Sequence, residues 1–420
     1  LRGQDHPGIL RGLRPEKRGK RKSARERRQG PNPGEYEVSF LKRLIATSAL
    51  CAAVLGLAAA VLAQTAIPQT GFCVEVEPWG EASALFRSDP RWLGGDGASS
   101  VDLGGERVLW LFGDSFVDPG GSSSRLNASL VRNSVALQKG KKPESAKMEF
   151  FWKMLGNRPR SYFREEDGSW FWPGSGVRLG DILIEFLVEV RRAENPLGFS
   201  AEGSKAVIVP NPDDPPSLWA HLRASPAGRR RILVGSACAL VEGGYLYAFG
   251  SDASGTEVHA LRWPVDRAAR GDLSSPEWWM GPDAGWASSP RGTLNPRPVF
   301  VGAQTEFSIH FEPDLKGFIQ VQTLTLANPC LAVRFSPAIE RGWTEPACLH
   351  DPTRPGKEGI VIYAGKAHKV FEGASLAFTY VVNTLDAETL LNDRELYYPV
   401  VLKGHLSPCS RPTEVRTPTP

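Results

Sequence analysis

The 420-residue chain carries a formal net charge of +4, but the charge is unevenly spread. Residues 1–37 hold 11 Lys and Arg against 5 Asp and Glu, whereas residues 64–420 hold 37 against 41. The bulk of the chain is therefore mildly acidic and offers no compositional case for nucleic acid. Its 43 Gly, 34 Pro and 12 Trp, with few helical patterns, argue against an all-α class.

The first 37 residues contain no Met and read as an over-extended, disordered leader. Val38-Ser-Phe-Leu-Lys-Arg then precedes an apolar run from Leu44 to Ala63. A basic start, an apolar middle and a small residue at the end predict a secretory signal peptide over 38–63, with Val38 as the start. The expected location is secreted or periplasmic, with no stable membrane insertion after cleavage. The alternatives are an uncleaved N-terminal anchor and a genuine basic arm. Five Cys follow. Cys330 and Cys348 are close enough to staple one loop, Cys73 and Cys409 could clamp the two ends, and Cys238 reads as a buried free thiol. No CxxC pair exists, so neither metal nor cofactor is expected.

From residue 64 to 410 the chain reads as one all-β unit, with a disordered tail over 411–420. No Gly/Ser-rich linker interrupts it. One pattern repeats, a glycine turn followed by an alternating apolar run. It occurs at 104–114, 180–186, 243–251, 317–321 and 359–365. Second runs follow at 133–137, 258–263, 331–335 and 376–382. Five such units predict a five-bladed β-propeller, because sheets arranged radially bury faces that one sheet alone would expose. The final run, Leu396–Leu402, is expected to pair with the first blade and close the ring. A pair of β-sandwiches is the competing all-β architecture.

The most informative segment runs from Trp92 to Asp118. Two apolar runs flank the Gly104-Gly105 turn, which predicts a hairpin with Asp96 at the start of its first strand and Asp114 at the end of its second. Those ends lie side by side, so two carboxylates come to one edge of a sheet, as acid/base chemistry on a sugar requires. Residue type alone also fits an Asx turn and a hairpin cap. Glu185, Glu257, His310 and Glu312 lie on or beside predicted strands and read mainly as solvated strand faces. Trp110 and Trp170 are candidates for sugar stacking. For Trp110, mid-strand among apolar neighbours, packing between blades is the preferred reading.

Trp92-Leu-Gly-Gly-Asp-Gly-Ala-Ser-Ser with Leu109-Trp-Leu-Phe-Gly-Asp-Ser-Phe resembles the opening of domain-of-unknown-function family 4185, secreted bacterial five-bladed propellers that include endo-acting D-arabinanases. The likeness continues through Trp172-Pro-Gly-Ser-Gly, Tyr245-Leu-Tyr-Ala-Phe-Gly and Tyr363-Ala-Gly-Lys-Ala-His368. It implies that Asp96 and Asp114 are the catalytic carboxylates and carries a substrate-binding role to His368, while Trp172, like Trp110 and Trp170, is a candidate for substrate binding by stacking on a sugar ring. Lys369-Val370 departs from the Pro-Glu expected after Ala367-His368. The resulting expectation is a monomeric glycoside hydrolase acting on a polysaccharide, arabinan-type by the resemblance. The alternative is a non-catalytic propeller that binds carbohydrate or a cell surface.

Overall fold

The computed structural model describes residues 67, 69–195, 198–226, 232–252, 255–288, 295–324, 329–352 and 359–409. The leader, the signal-peptide segment and the tail beyond residue 410 lie outside the described residues. Within them the chain is all-β, with a few short helices.

Five antiparallel sheets carry most of the described chain. Sheet I holds Ser99–Gly104, Arg107–Phe112, Ser134–Lys139 and Lys147–Phe151. Sheet II holds Ser169–Leu179, Ile182–Arg192, Phe199–Val209 and Leu222–Ala224. Sheet III begins with Cys238–Glu242, Tyr245–Ser251 and Glu257–Pro264 and is extended by short outer strands. Sheet IV holds Ser308–Glu312, Gly317–Thr323, Leu331–Ser336 and Ala347–His350. Sheet V joins Ile360–His368, Leu376–Thr384 and Pro399–Pro408 to the N-terminal strand Phe72–Pro78. In sheet III, Gly243 and Gly244 at φ 54° and 81° make the tight turn whose twist suits a hairpin. In sheet I the turn falls one residue later than the sequence suggests, on Gly105 and Glu106 at φ 57° and 59°.

Period-two alternation gives each sheet two apolar faces, and the core is divided accordingly. In the second strand of sheet II, Leu183 and Leu187 pack with Val101, Leu103 and Leu109 of sheet I. Ile184 and Phe186 pack instead with Leu246, Ala248 and Trp263 of sheet III. Phe249 and Val258 of sheet III meet Ile309 and Phe318 of sheet IV. Ile319 and Val333 of sheet IV meet Ile362 and Phe378 of sheet V. Trp110 and Phe112 of sheet I share a cluster with Ala377 and Val401 of sheet V. Burying one such phenylalanine contributes about 2–3 kcal/mol. The second strands are covered on both faces, which is why they are apolar on both sides, while the outermost strands stay partly exposed.

Two sequence expectations need correction here. The last run does not pair with the first sheet. Pro399–Pro408 stays beside its sequence neighbour Leu376–Thr384, and the N-terminal strand Phe72–Pro78 covers its other edge, Phe72 opposite Pro408 and Pro78 opposite Leu402. Pairing with the preceding strand requires only a short connection, and the exposed edge then needs a cover. The Cys73–Cys409 disulfide fastens that pairing, and Cys330–Cys348 ties the outer strand of sheet IV to the loop before Leu331. Cys238 is free and buried. The unit at 359–365 is also out of phase. Residues 104–114, 180–186, 243–251 and 317–321 fall on second strands, whereas Ile360–His368 is the first strand of sheet V. Apolar character on both faces makes first and second strands look alike in sequence.

Candidate active site

Asp96 and Asp114 occupy the two crossings between sheet I and a small sheet of Trp92–Gly95, Ser115–Val117 and Ser129–Val131. Neither lies on a strand of sheet I. Their backbones are nonetheless paired: Gly113 N–H donates to the Asp96 carbonyl at 3.0 Å, and Asp96 N–H to the Asp114 carbonyl at 3.4 Å. Gly113 leaves room for the Asp96 side chain: a Cβ on it would sit 2.4 Å from Asp96 Oδ1, so any larger residue must displace that carboxylate.

Sheet V supplies the groups around Asp96. The Tyr363 hydroxyl donates to Asp96 Oδ2 at 3.0 Å and itself accepts from Asn383 Nδ2 at 3.1 Å. The Tyr397 hydroxyl lies 3.2 Å from the same carboxylate oxygen and 3.1 Å from the Asp114 carbonyl, so it can donate to either. Lys366, almost fully buried, donates to the Gly97 carbonyl at 2.5 Å and to Glu306 Oε1 at 2.9 Å. A register shift between Tyr363 and Lys366, with Ala364 at φ 59°, allows both side chains to reach the site.

Asp114 is 2% exposed. Its Oδ1 accepts from Trp172 Nε1 at 3.0 Å, and its Oδ2 from Arg132 Nη1 at 3.3 Å. Trp172 stands against Trp170 and Phe199, with ring centroids 6.2 and 5.0 Å away. Arg132 lies over the Trp170 ring at 4.8 Å. Asp96 and Glu306 are partly buried, whereas Asp114 is sealed.

The electrostatics separate the two aspartates. Burial first, then the charges of Asp114 and Glu306, hold the Asp96 carboxyl well above the usual carboxylate range, against the pull of the two tyrosine hydroxyls. Burial also raises Asp114, but Arg132 and the Trp172 N–H pull it back. Of the two, Asp96 is the stronger holder of a proton.

The other sequence candidates are scattered. His368 is 2% exposed, with Nδ1 2.7 Å from Ser100 Oγ and Nε2 2.7 Å from Thr379 Oγ1. Both nitrogens are thus engaged inside the protein, and the ring belongs to the wall between sheets V and I. Trp172 touches Asp114 directly. Trp110 is fully buried and bonded to Gln138, as packing between sheets requires. His310 bonds the Ala367 carbonyl and Glu312 pairs with Lys369 at 2.9 Å, while Glu257 lies 3.6 Å from His259. Glu185 is fully buried in the apolar cluster between sheets I and II. Sequence reasoning missed Tyr363, Lys366, Tyr397, Arg132 and Glu306. Tyr363 and Lys366 lay within the quoted motif Tyr363-Ala-Gly-Lys, but nothing in it tied them to a residue some 270 positions earlier.

A family model described as Domain of unknown function (DUF5005) matches residues 81–398. The chain belongs to this family. Family 5005 thus stands where the motifs suggested family 4185. No curated protein matches the sequence. Among solved structures, the chain is similar to a presumed hydrolase from Bacteroides ovatus ATCC 8483, with TM-score 0.65 and 15% identity over 79% of this chain and 90% of that one. At that identity the likeness shows a shared fold. More distant similarity reaches the α-L-arabinofuranosidase PaAbf62A from Podospora anserina, solved with cellotriose (TM-score 0.43, 9% identity, 76% and 93% coverage). It also reaches the catalytic domain of a GH62 α-L-arabinofuranosidase from Coprinopsis cinerea (TM-score 0.40, 10% identity, 74% and 90% coverage).

Proposed function

We propose that this protein is a five-bladed propeller glycoside hydrolase that cleaves glycosidic bonds of a polysaccharide outside the cytoplasm. Sheets I to V are its blades. The core clusters between consecutive sheets, and the one joining sheet V to sheet I, support that architecture. The two disulfides support an oxidising location.

The observation that carries the reading is the half-buried Asp96 carboxylate, held by two tyrosine hydroxyls beside two further carboxylates. Glycoside cleavage needs one carboxyl that keeps a proton for the leaving oxygen and one ionised carboxylate opposite it. Environments that push such groups apart mark the division of roles. Asp96 is the acid. Asp114, sealed beneath it, is raised less because Arg132 and Trp172 favour its charged form, and its charge is one of the causes that push Asp96 up. Glu306, against the Lys366 ammonium, is the second carboxylate that faces the substrate and activates water. Convergence of these groups around Asp96 favours catalysis over binding alone.

The test replaces Asp96 and Asp114 singly with Asn and Glu306 with Gln, and assays arabinans and other glycans for reducing ends. Asp96→Asn and Glu306→Gln are expected to lose about 10²–10⁴-fold in turnover. In Asp114→Asn the basic limb of the pH profile moves to lower pH, because Asp96 has lost a neighbouring charge. Full activity in both aspartate variants would refute the assignment.

A further inference from the structure

Next to this site stands a two-stranded ribbon, Lys153–Leu155 paired with Arg158–Arg160. Directly opposed residues on such a ribbon point to the same face. Lys153 is opposite Arg160, and Leu155 is opposite Arg158. One face therefore carries three cations and an exposed leucine. Pro159, on the other face, is buried. Like charges directly opposite one another destabilise a ribbon, and two strands alone are marginal to begin with. No ion pair among the described residues relieves the repulsion. Arg158, Arg160 and Arg164 are exposed, and none has an acidic partner among the described residues. Of the acids that follow, Glu165 accepts from Ser161 Oγ at 3.4 Å and Glu166 pairs with Arg223 at 3.0 Å, so neither forms an ion pair with the ribbon. Lys153 lies over the Tyr162 ring, Nζ 4.8 Å from its centroid, and so stays fixed in the cationic face.

The ribbon's position gives this cost a use. The residue after Arg160 is Ser161, whose Oγ accepts from the Arg132 N–H at 3.1 Å. The Tyr162 N–H then bonds the Asn133 carbonyl at 3.1 Å. Arg132 is the residue whose guanidinium holds Asp114. The segment leaving the ribbon is thus tied to the residue whose guanidinium holds Asp114, and Arg158 and Arg160 stand exposed immediately before it in the chain. Beside Asp114 the partly exposed acidic charge comes from Asp96 and Glu306. An anionic group therefore belongs on the ribbon, away from the reacting bond. Leu155, 66% exposed on the same face, adds apolar surface of the kind that lies against sugar rings.

We propose that this ribbon is a subsite for an anionic substituent on the polysaccharide, a uronate carboxylate, a sulfate ester or a phosphodiester. The substrate is thereby an acidic glycan, bound with its charge on Arg158 and Arg160 and its scissile bond at Asp96. The proposal rests on the glycosidase reading for the bond that is cut, but not for the binding that is measured.

The experiment titrates the full chain with oligosaccharides that are neutral, uronate-bearing, sulfated or phosphorylated on otherwise matched backbones. It uses the native protein, Arg158→Gln/Arg160→Gln and Arg158→Lys/Arg160→Lys. The native protein is expected to bind one anionic series at least about tenfold more tightly than its neutral counterpart, the effect of one charge-assisted hydrogen bond. The Gln variant brings that ratio to about one, the Lys variant restores part of it, and salt suppresses it. The series preferred identifies the substituent. Equal affinity for neutral and anionic glycans, an undiminished preference in the Gln variant, or equal binding of polyglutamate would overturn the proposal. Failure of the cleavage reading has a different signature, an intact anionic preference with no bond broken.

Discussion

Glu185 offers a direct test of how the core is built. It sits on the second strand of sheet II between Ile184 and Phe186, is fully buried, and neither carboxylate oxygen has a hydrogen-bond partner. Burial alone pushes its pKa from 4.5 to about 8. Because the folded value is raised, the carboxyl favours the folded state fully below pH 4.5 and loses that contribution as pH rises through about 8. At about 1.4 kcal/mol per pH unit, the loss amounts to about 3 kcal/mol at pH 7 and about 5 kcal/mol above pH 8. Glu185→Gln keeps the shape and the unmet polar atoms but cannot ionise. Its stability should match the native protein's at pH 4.5 and exceed it increasingly toward pH 9. Urea unfolding of both proteins at pH 4.5, 7 and 9 isolates the effect, since every other titrating group is common to the two. A stability difference that does not change with pH would refute the reasoning.

Two further outcomes are expected. Gly113→Ala places a methyl group 2.4 Å from Asp96 Oδ1. Displacing that carboxylate by about an ångström should cost about 10²-fold in turnover, with the melting temperature nearly unchanged, and calorimetry beside a glycan assay separates the two readouts. Cys73→Ser opens the disulfide that closes a loop with sequence separation 336. It should cost about 5 kcal/mol and lower the melting temperature by about 7 °C, given roughly 2.1 cal/mol/K of unfolding entropy per residue. A melting temperature equal to that of the native protein would show that the paired end strands hold without it.

The parts of the fold that are legible in sequence are those that depend on local pattern. Turn glycines and alternating runs mark the hairpins of sheets I to IV, and a glycine beside each aspartate marks the crossings where Asp96 and Asp114 sit. The edge partner of Pro399–Pro408 is not legible, because Phe72–Pro78 reads as a generic short strand whose place is decided by an edge formed at the far end of the chain. The same holds for the site. The two aspartates are 18 positions apart and joined by one hairpin, whereas Tyr397 meets Asp96 across 301 positions. Its sequence neighbours, Leu396 and Tyr398, give no sign that the hydroxyl between them points at a carboxylate. Lys366 is hidden for a similar reason. A lysine inside an apolar strand reads as a misplaced surface charge until Glu306 and the Gly97 carbonyl are brought beside it.

The pairing of Phe72–Pro78 with Pro399–Pro408 also sets the order of events during synthesis. At roughly 5–20 residues per second, about 17–70 s separate the arrival of Cys73 from that of Cys409, given the separation of 336. Throughout that interval the first strand made has no partner, and sheet V remains unfinished until the last strand has emerged. Sheets I to IV need neither of these two strands, so closure of the chain ends is a separate and last event, made permanent only when Cys409 reaches Cys73.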